Sequence, residues 1–298
     1  MGKRHRNVSR FNKNLYFCAQ IVFTMRKHLI AFLSLWLVLS SCGSYNNIYK
    51  TRDFLYKYEA AKQIYAEGQY NRAYLLLDQC LQSLKGTEYG EEALYLAAMA
   101  QLRSKSYGGA SAYFKKYYEA YPNGLFAEEA QFNAAVALYL ATPEPKLDQS
   151  ETMDAIRMFQ EFLDSYPTSS LRESAQSKIF ELQDKLVEKQ YLTAKLYYDL
   201  GSYIGNGVNG NYQACIVTAE NAIRDFPYSN RREEFAILVV RAKFEYAKNS
   251  VPARQEERYS NAIDEYYGFL NEYPESSYRK EATKLYESVP ERFRKQSE

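Results

Sequence analysis

YGGASAYFKKYYEAYP, residues 107–122, and TMDAIRMFQEFLDSYP, residues 152–167, are two copies of one pattern. Three further 16-residue segments align with them without gaps: YNRAYLLLDQCLQSLK (70–85), YQACIVTAENAIRDFP (212–227) and YSNAIDEYYGFLNEYP (259–274). The fourth position is always small: Ala73, Ala110, Ala155, Cys215 and Ala262. The eighth is Leu77, Phe114, Phe159, Ala219 and Tyr266, and the eleventh Cys80, Tyr117, Phe162, Ala222 and Phe269. Positions 4, 8 and 11 share one face of an α-helix. The small residue admits a neighbouring helix, and the bulky ones fill the space beside it. Four copies end in aromatic-Pro, and proline stops a helix because its ring clashes with the preceding turn. Polar clusters follow, as in Pro167-Thr168-Ser169-Ser170, Pro227-Tyr228-Ser229-Asn230 and Pro274-Glu275-Ser276-Ser277. Their hydroxyls and amides are expected to cap the next helix.

A preceding helix repeats as well. Glu91–Arg103 aligns with Glu128–Leu140 and Glu233–Glu245, so each unit reads helix, turn, helix. The small fourth positions are 37, 45, 60 and 47 residues apart. Thr142–Gln149 and Asn249–Arg258 read as inserted loops and Gly205–Asn211 as a Gly-rich turn. Ser169 to Leu200 contains neither Pro nor Gly. It reads as one long helix, or two nearly continuous ones, bridging repeats three and four.

The N-terminal region differs in kind. Met25-Arg26-Lys27-His28 is basic, and Leu29–Leu39 is apolar except for Ser34. This is the layout of a secretory signal, too short for a membrane span of about 20 residues. The ending Leu39-Ser40-Ser41-Cys42 resembles the bacterial lipobox. That resemblance implies cleavage before Cys42 and a diacylglyceryl group on its thiol; the competing reading is an ordinary signal with a chance cysteine. Residues 1–24 read as an upstream-start extension, with an unusually long basic region as the alternative.

Residues 1–41 hold seven of the 38 Lys/Arg and none of the 36 Asp/Glu, which leaves a mature net charge of about −5. That balance argues against nucleic acid as a partner. Both histidines, His5 and His28, lie in the removed part, which excludes His-based catalysis and His metal ligation. Cys80 and Cys215 occupy packing positions and make no disulfide framework. The pairs Glu91-Glu92, Glu128-Glu129 and Glu233-Glu234 sit in first turns, where acids complement the helix dipole. No phosphate loop or nucleophile elbow appears. The expectation is a binding protein with no enzymatic activity, cofactor, metal or small-molecule substrate.

Tyr197-x-x-Leu200-Gly201 and Ala110-x-x-x-Phe114…Pro122 resemble the tetratricopeptide repeat. The resemblance covers about Asp53 to Pro274. It implies an all-α fold, a right-handed α-solenoid of about five helix-turn-helix repeats. It also implies that positions 5, 9 and 12 of the first helices line a concave face. Those are Tyr58, Lys62 and Tyr65; Tyr95, Met99 and Leu102; and Phe132, Val136 and Tyr139. Tyr58, Tyr65, Tyr95, Leu102, Phe132 and Tyr139 are therefore peptide-groove candidates, since rigid aromatics give contact area at low entropy cost. The competing reading is inter-helix packing in a chain with 30 tyrosines.

Lipobox, five irregular repeats and the run Glu188-x-x-Tyr191-x-x-Ala194-x-x-Tyr197-Tyr198 together resemble the BamD (YfiO) family of outer-membrane assembly lipoproteins. That resemblance implies anchoring on the periplasmic face of the outer membrane, with Gly43 after the lipidated Cys42 favouring delivery there. The implied partners are the barrel insertase BamA, bound by the C-terminal repeats, and unfolded outer-membrane β-barrel proteins, bound by the N-terminal ones. Asn-rich turns and the segment after Asn249 depart from the family pattern. Alternatives are a pilotin-like or other envelope scaffold lipoprotein, or a glycan-binding lipoprotein. The expected organisation is a signal at 25–41 and a lipidated polar tether at 42–52. Repeats one and two with the first helix of repeat three occupy 53–141. The rest of repeat three and the long helix occupy 142–190, repeats four and five 191–290, and a frayed tail 291–298.

Overall fold

The computed structural model describes residues 42–203 and 210–294. The extension at 1–24, the signal at 25–41 and most of the Gly-rich turn lie outside the described residues. Among those described, every regular element is an α-helix. The described residues divide into two compact units, one ending at Ser104 and the other beginning at Lys105. The division falls inside the segment 53–141 that the sequence presents as one run of repeats.

The first unit holds α1 (Cys42–Lys50), α2 (Phe54–Ala66), α3 (Tyr70–Leu84) and α4 (Gly90–Arg103). Asp53 caps α2, its carboxylate accepting from the Tyr56 N–H at 2.9 Å. The helix ends in a Schellman turn: the Gly68 N–H donates to the Tyr65 carbonyl and the Gln69 N–H to that of Ile64. Gly68 sits at φ +79°, open to a residue without Cβ. Helices α2 and α3 pack together, as do α3 and α4, and α2 also touches α4.

The polar tether expected over residues 42–52 is largely helical. Nine of them form α1, which at about 1.5 Å per residue is less than half as long as the extended chain. The cause is docking onto the first repeat. The Tyr45 hydroxyl donates to the Arg72 carbonyl at 3.3 Å, with the Arg72 guanidinium 5.2 Å from the Tyr45 ring. The Lys57 ammonium donates to the Tyr49 carbonyl at 3.1 Å and to Gln79 Oε1 at 2.6 Å.

The second unit holds α5 (Tyr107–Ala120), α6 (Ala127–Ala141), α7 (Ser150–Ser165), α8 (Arg172–Leu200), α9 (Gly210–Asp225), α10 (Arg232–Lys248), α11 (Pro252–Glu272), α12 (Arg279–Glu287) and α13 (Glu291–Arg294). Neighbours in sequence pack in succession from α5 to α12, and alternate helices meet as α6 with α8, α8 with α10 and α10 with α12. The helix expected between Ser169 and Leu200 is continuous over 29 residues. It packs on both α7 and α9, so one helix serves two successive pairs. Gly201 ends it at φ +53°, where a Cβ would meet the Tyr212 hydroxyl at 2.7 Å.

The repeated face is the core. Ala73, Ala110, Ala155, Cys215 and Ala262 are fully buried, and every residue at positions 8 and 11 is buried with them. The turn after each aromatic-Pro is also repeated. Tyr166, Phe226 and Tyr273 each accept the N–H of the serine three residues on, and that serine's carbonyl accepts from Arg172, Arg232 or Arg279. The hydroxyls of Ser169, Ser229 and Ser276 accept from Leu171, Arg231 and Tyr278, at 2.9–3.1 Å. This corrects the expectation of helix capping. The hydroxyls brace the turn one residue short, and the N-cap residues Leu171, Arg231 and Tyr278 make no side-chain cap bond.

Two further expectations change. Residues 252–258 are not loop but the first two turns of α11, because Pro252 falls at the first helical position, where its missing N–H costs nothing. The tail is not frayed at its start: α13 places the Phe293 ring on Tyr259, centroids 5.0 Å apart.

Two outcomes test this packing. Ala155→Leu overfills a closed position and is expected to destabilise the protein by about 1–3 kcal/mol in urea unfolding. Lys105 holds φ +63° at the position corresponding to Gly68, a conformation that costs a side chain about 1–2 kcal/mol. Lys105→Gly should therefore raise the unfolding midpoint; an unchanged or lower midpoint contradicts the assignment.

Candidate peptide-binding faces

Of the six groove candidates, four are in the first unit. Tyr58 on α2 is fully buried. Its ring lies 5.7 Å from Tyr89 and beneath the Lys62 ammonium, which pairs with Glu92 at 3.1 Å. Burial first, and the Glu92 carboxylate second, raise the Tyr58 pKa. Tyr58 is a core residue and not a groove contact. Tyr65, two turns further on, is half-buried with its ring edge-on to Tyr70 at 5.1 Å. Tyr95 and Leu102 on α4 are half-buried too. Tyr65 is carried by α2, and Tyr95 and Leu102 by α4, two helices that touch.

The second unit holds the other two. Phe132 on α6 is buried edge-on against Phe159 at 5.9 Å and Phe162 at 5.4 Å. It too belongs to the core, which corrects the groove expectation. Phe132 meets the bulky positions 8 and 11 of the following helix, whereas Tyr58 closes against Tyr89. Tyr139 is half-buried, and its hydroxyl donates to Glu181 Oε2 on α8 at 2.5 Å, while the Lys178 ammonium stands 4.1 Å over its ring. That bond to Glu181 is the largest of the causes raising its pKa. Tyr139 therefore works as an α6–α8 contact.

Sequence reasoning missed a surface in this unit. Phe180 on α8 is 66% exposed and Tyr228, after Pro227, is 98% exposed. They border a cleft of about 310 Å³ with Val187, Asp184 and Phe226. A signal for Phe180 was present. The buried stripe of α8 runs Ala175, Ile179, Leu182, Val187 and Ala194, and Phe180 stands off it. Tyr228 carried no such signal, being a turn residue.

Cys42 opens α1, but its side chain lies outside the described residues. Among those described, no cluster of His, Cys, Asp or Glu could hold a metal ion. No helix among them is long and apolar enough to cross a membrane.

The sequence profile of YfiO, described as outer membrane lipoprotein, matches residues 53–206. The chain belongs to the YfiO family of outer membrane lipoproteins. No curated protein matches it. The matched segment runs from the cap of α2 through the whole of α8, so it includes Tyr65, Tyr95, Leu102 and Phe180. YfiO membership and a helical-repeat fold together mark a scaffold of non-catalytic type at the outer membrane.

Cys80 and Cys215 are buried packing residues. Burial pushes Cys80 up to about 11 and Cys215 up to about 12, and the Cys80 Sγ–H donates to the Leu76 carbonyl. Thiolate is the reactive form. Both cysteines should therefore resist a maleimide at pH 8 in the native protein and react in concentrated urea, read by mass shift.

Proposed function

We propose that this YfiO-family chain is a lipid-anchored scaffold of the outer-membrane β-barrel assembly machinery. Cys42 carries the lipid, and the repeats face the periplasm. The first unit binds the C-terminal strand of an unfolded barrel through Tyr65, Tyr95 and Leu102. The C-terminal repeats dock on the periplasmic part of the insertase BamA. The observation that carries this reading is the family match across a helical-repeat body.

Physical chemistry supports the division of labour. An extended apolar strand needs a surface of rigid aromatics whose side chains lose little entropy on binding. Tyr65 and Tyr95 supply that surface. A folded partner needs exposed apolar anchors ringed by polar groups. Phe180 and Tyr228, beside Asp184, Gln183 and Asp225, have that character.

The test is a detergent pull-down of the native protein from envelopes, with mass spectrometry of what it retains. The expected partners are the barrel insertase and nascent barrel proteins. A secretin recovered in place of the insertase overturns the reading in favour of a pilotin-like scaffold. Cys42→Ala should lose membrane sedimentation; a variant that still sediments removes the anchor. Tyr65→Ser with Tyr95→Ser should weaken binding of a barrel C-terminal peptide by about tenfold or more, as for interface anchors.

A further inference from the structure

Large apolar side chains are exposed singly over most of the chain, and single exposure calls for no explanation. Residues 49–56 differ. Within eight positions Tyr49 is 40% exposed, Phe54 37%, Leu55 45% and Tyr56 55%, and Lys50 and Arg52 are exposed among them. Phe54, Leu55 and Tyr56 are consecutive at the start of α2. Steps of about 100° carry three consecutive residues around more than half of a helix. Their joint exposure means that the end of α2 projects, not one of its sides.

The projecting end is held in place. Asp53 caps it, and the Thr51 N–H bonds back to α1 at the Asn47 and Ile48 carbonyls. The Lys57 ammonium, itself buried, ties the Tyr49 carbonyl to Gln79 on α3. The segment is thus ordered in the structure, and binding through it carries little further ordering cost.

Its position relative to Cys42 decides what it meets. Cys42 and Tyr49 lie on one helix, about 11 Å apart at 1.5 Å per residue. Alternation of tyrosine, basic and apolar residues suits the membrane interface, where aromatic rings sit at headgroup level and Lys/Arg reach phosphates. A lipid on Cys42 would hold the segment at that depth. We propose that residues 49–56 form a membrane foot: Tyr49, Phe54, Leu55 and Tyr56 enter the headgroup–acyl boundary, and Lys50 and Arg52 contact phospholipid phosphates. The proposal rests on the anchoring of Cys42. It adds that the first repeat is oriented on the bilayer and does not swing from a flexible leash.

The mature chain has no tryptophan, since the single one is Trp36. A lone tryptophan can therefore report depth. Lipidated mature protein carrying Phe54→Trp is reconstituted into phosphatidylethanolamine–phosphatidylglycerol vesicles with or without brominated acyl chains. Flotation is measured on the same samples. Expected are flotation and a blue-shifted, bromine-quenched emission at position 54. Flotation with no quenching at 54 overturns the foot while leaving the anchor intact. Loss of flotation overturns the anchor and the foot with it. Protection of position 54 that appears only when an outer-membrane protein is added assigns the segment to a protein partner and also overturns the proposal.

Discussion

Closed contact at the fourth position of each repeat governs the rest of this molecule. An alanine or cysteine with no exposed surface lets two helix backbones approach until the bulky residues at positions 8 and 11 must interlock. Protein interiors tolerate few voids, so the total volume between helices has to be conserved even where individual residues change. Repeat four shows this. There α9 offers Cys215, Ala219 and Ala222, all small, and the missing volume comes from Phe235, Leu238 and Val239 on α10, with Tyr191 edge-on to Phe235 at 5.7 Å. In repeat five both helices bring bulk: α11 supplies Tyr266, Phe269 and Ile263, and α10 Ile237, Val240 and Phe244, with Ala236 and Ala262 as small contacts.

Polar interactions then fix the register of surfaces already in contact. The Arg241 guanidinium grips both oxygens of Glu281, at 2.6 and 2.7 Å, and holds that carboxyl below its ordinary pKa. Lys243 lies between Glu220 at 3.0 Å and Glu265 at 2.5 Å. Arg231 pairs with Glu188 at 2.6 Å and covers the Tyr191 ring. Such partly exposed pairs contribute little stability each. They join helices distant in sequence, where a slip by one turn would leave charges unmatched.

The same packing decides which aromatics remain available. Thirty tyrosines make aromatic surfaces look plentiful in the sequence. Tyr58 and Phe132 are consumed by the core, and Tyr139 is tied to α8. What stays partly open is Tyr65 with Tyr95 and Leu102 in the first unit, and Phe180 with Tyr228 in the second. Function in a scaffold of this kind resides in residues that the packing leaves over.

The sequence by itself determined the helices, their pairing and their buried face. Those follow from local rules: a period of 3.6, a proline that cannot continue a helix, a small residue at the fourth position of each copy. It also shows that residues 42–298 contain no histidine, because composition needs no geometry. It did not determine that residues 42–50 coil and dock, since the bonds to Arg72, Lys57 and Gln79 join segments up to 27 positions apart. It did not show that the serines brace turns, because a hydroxyl two or three residues before a helix can serve either purpose. Nor could it separate Tyr58 from Tyr65, two tyrosines seven residues apart and so nearly on one face. Only the placement of the next helix closes water off from one and leaves it beside the other.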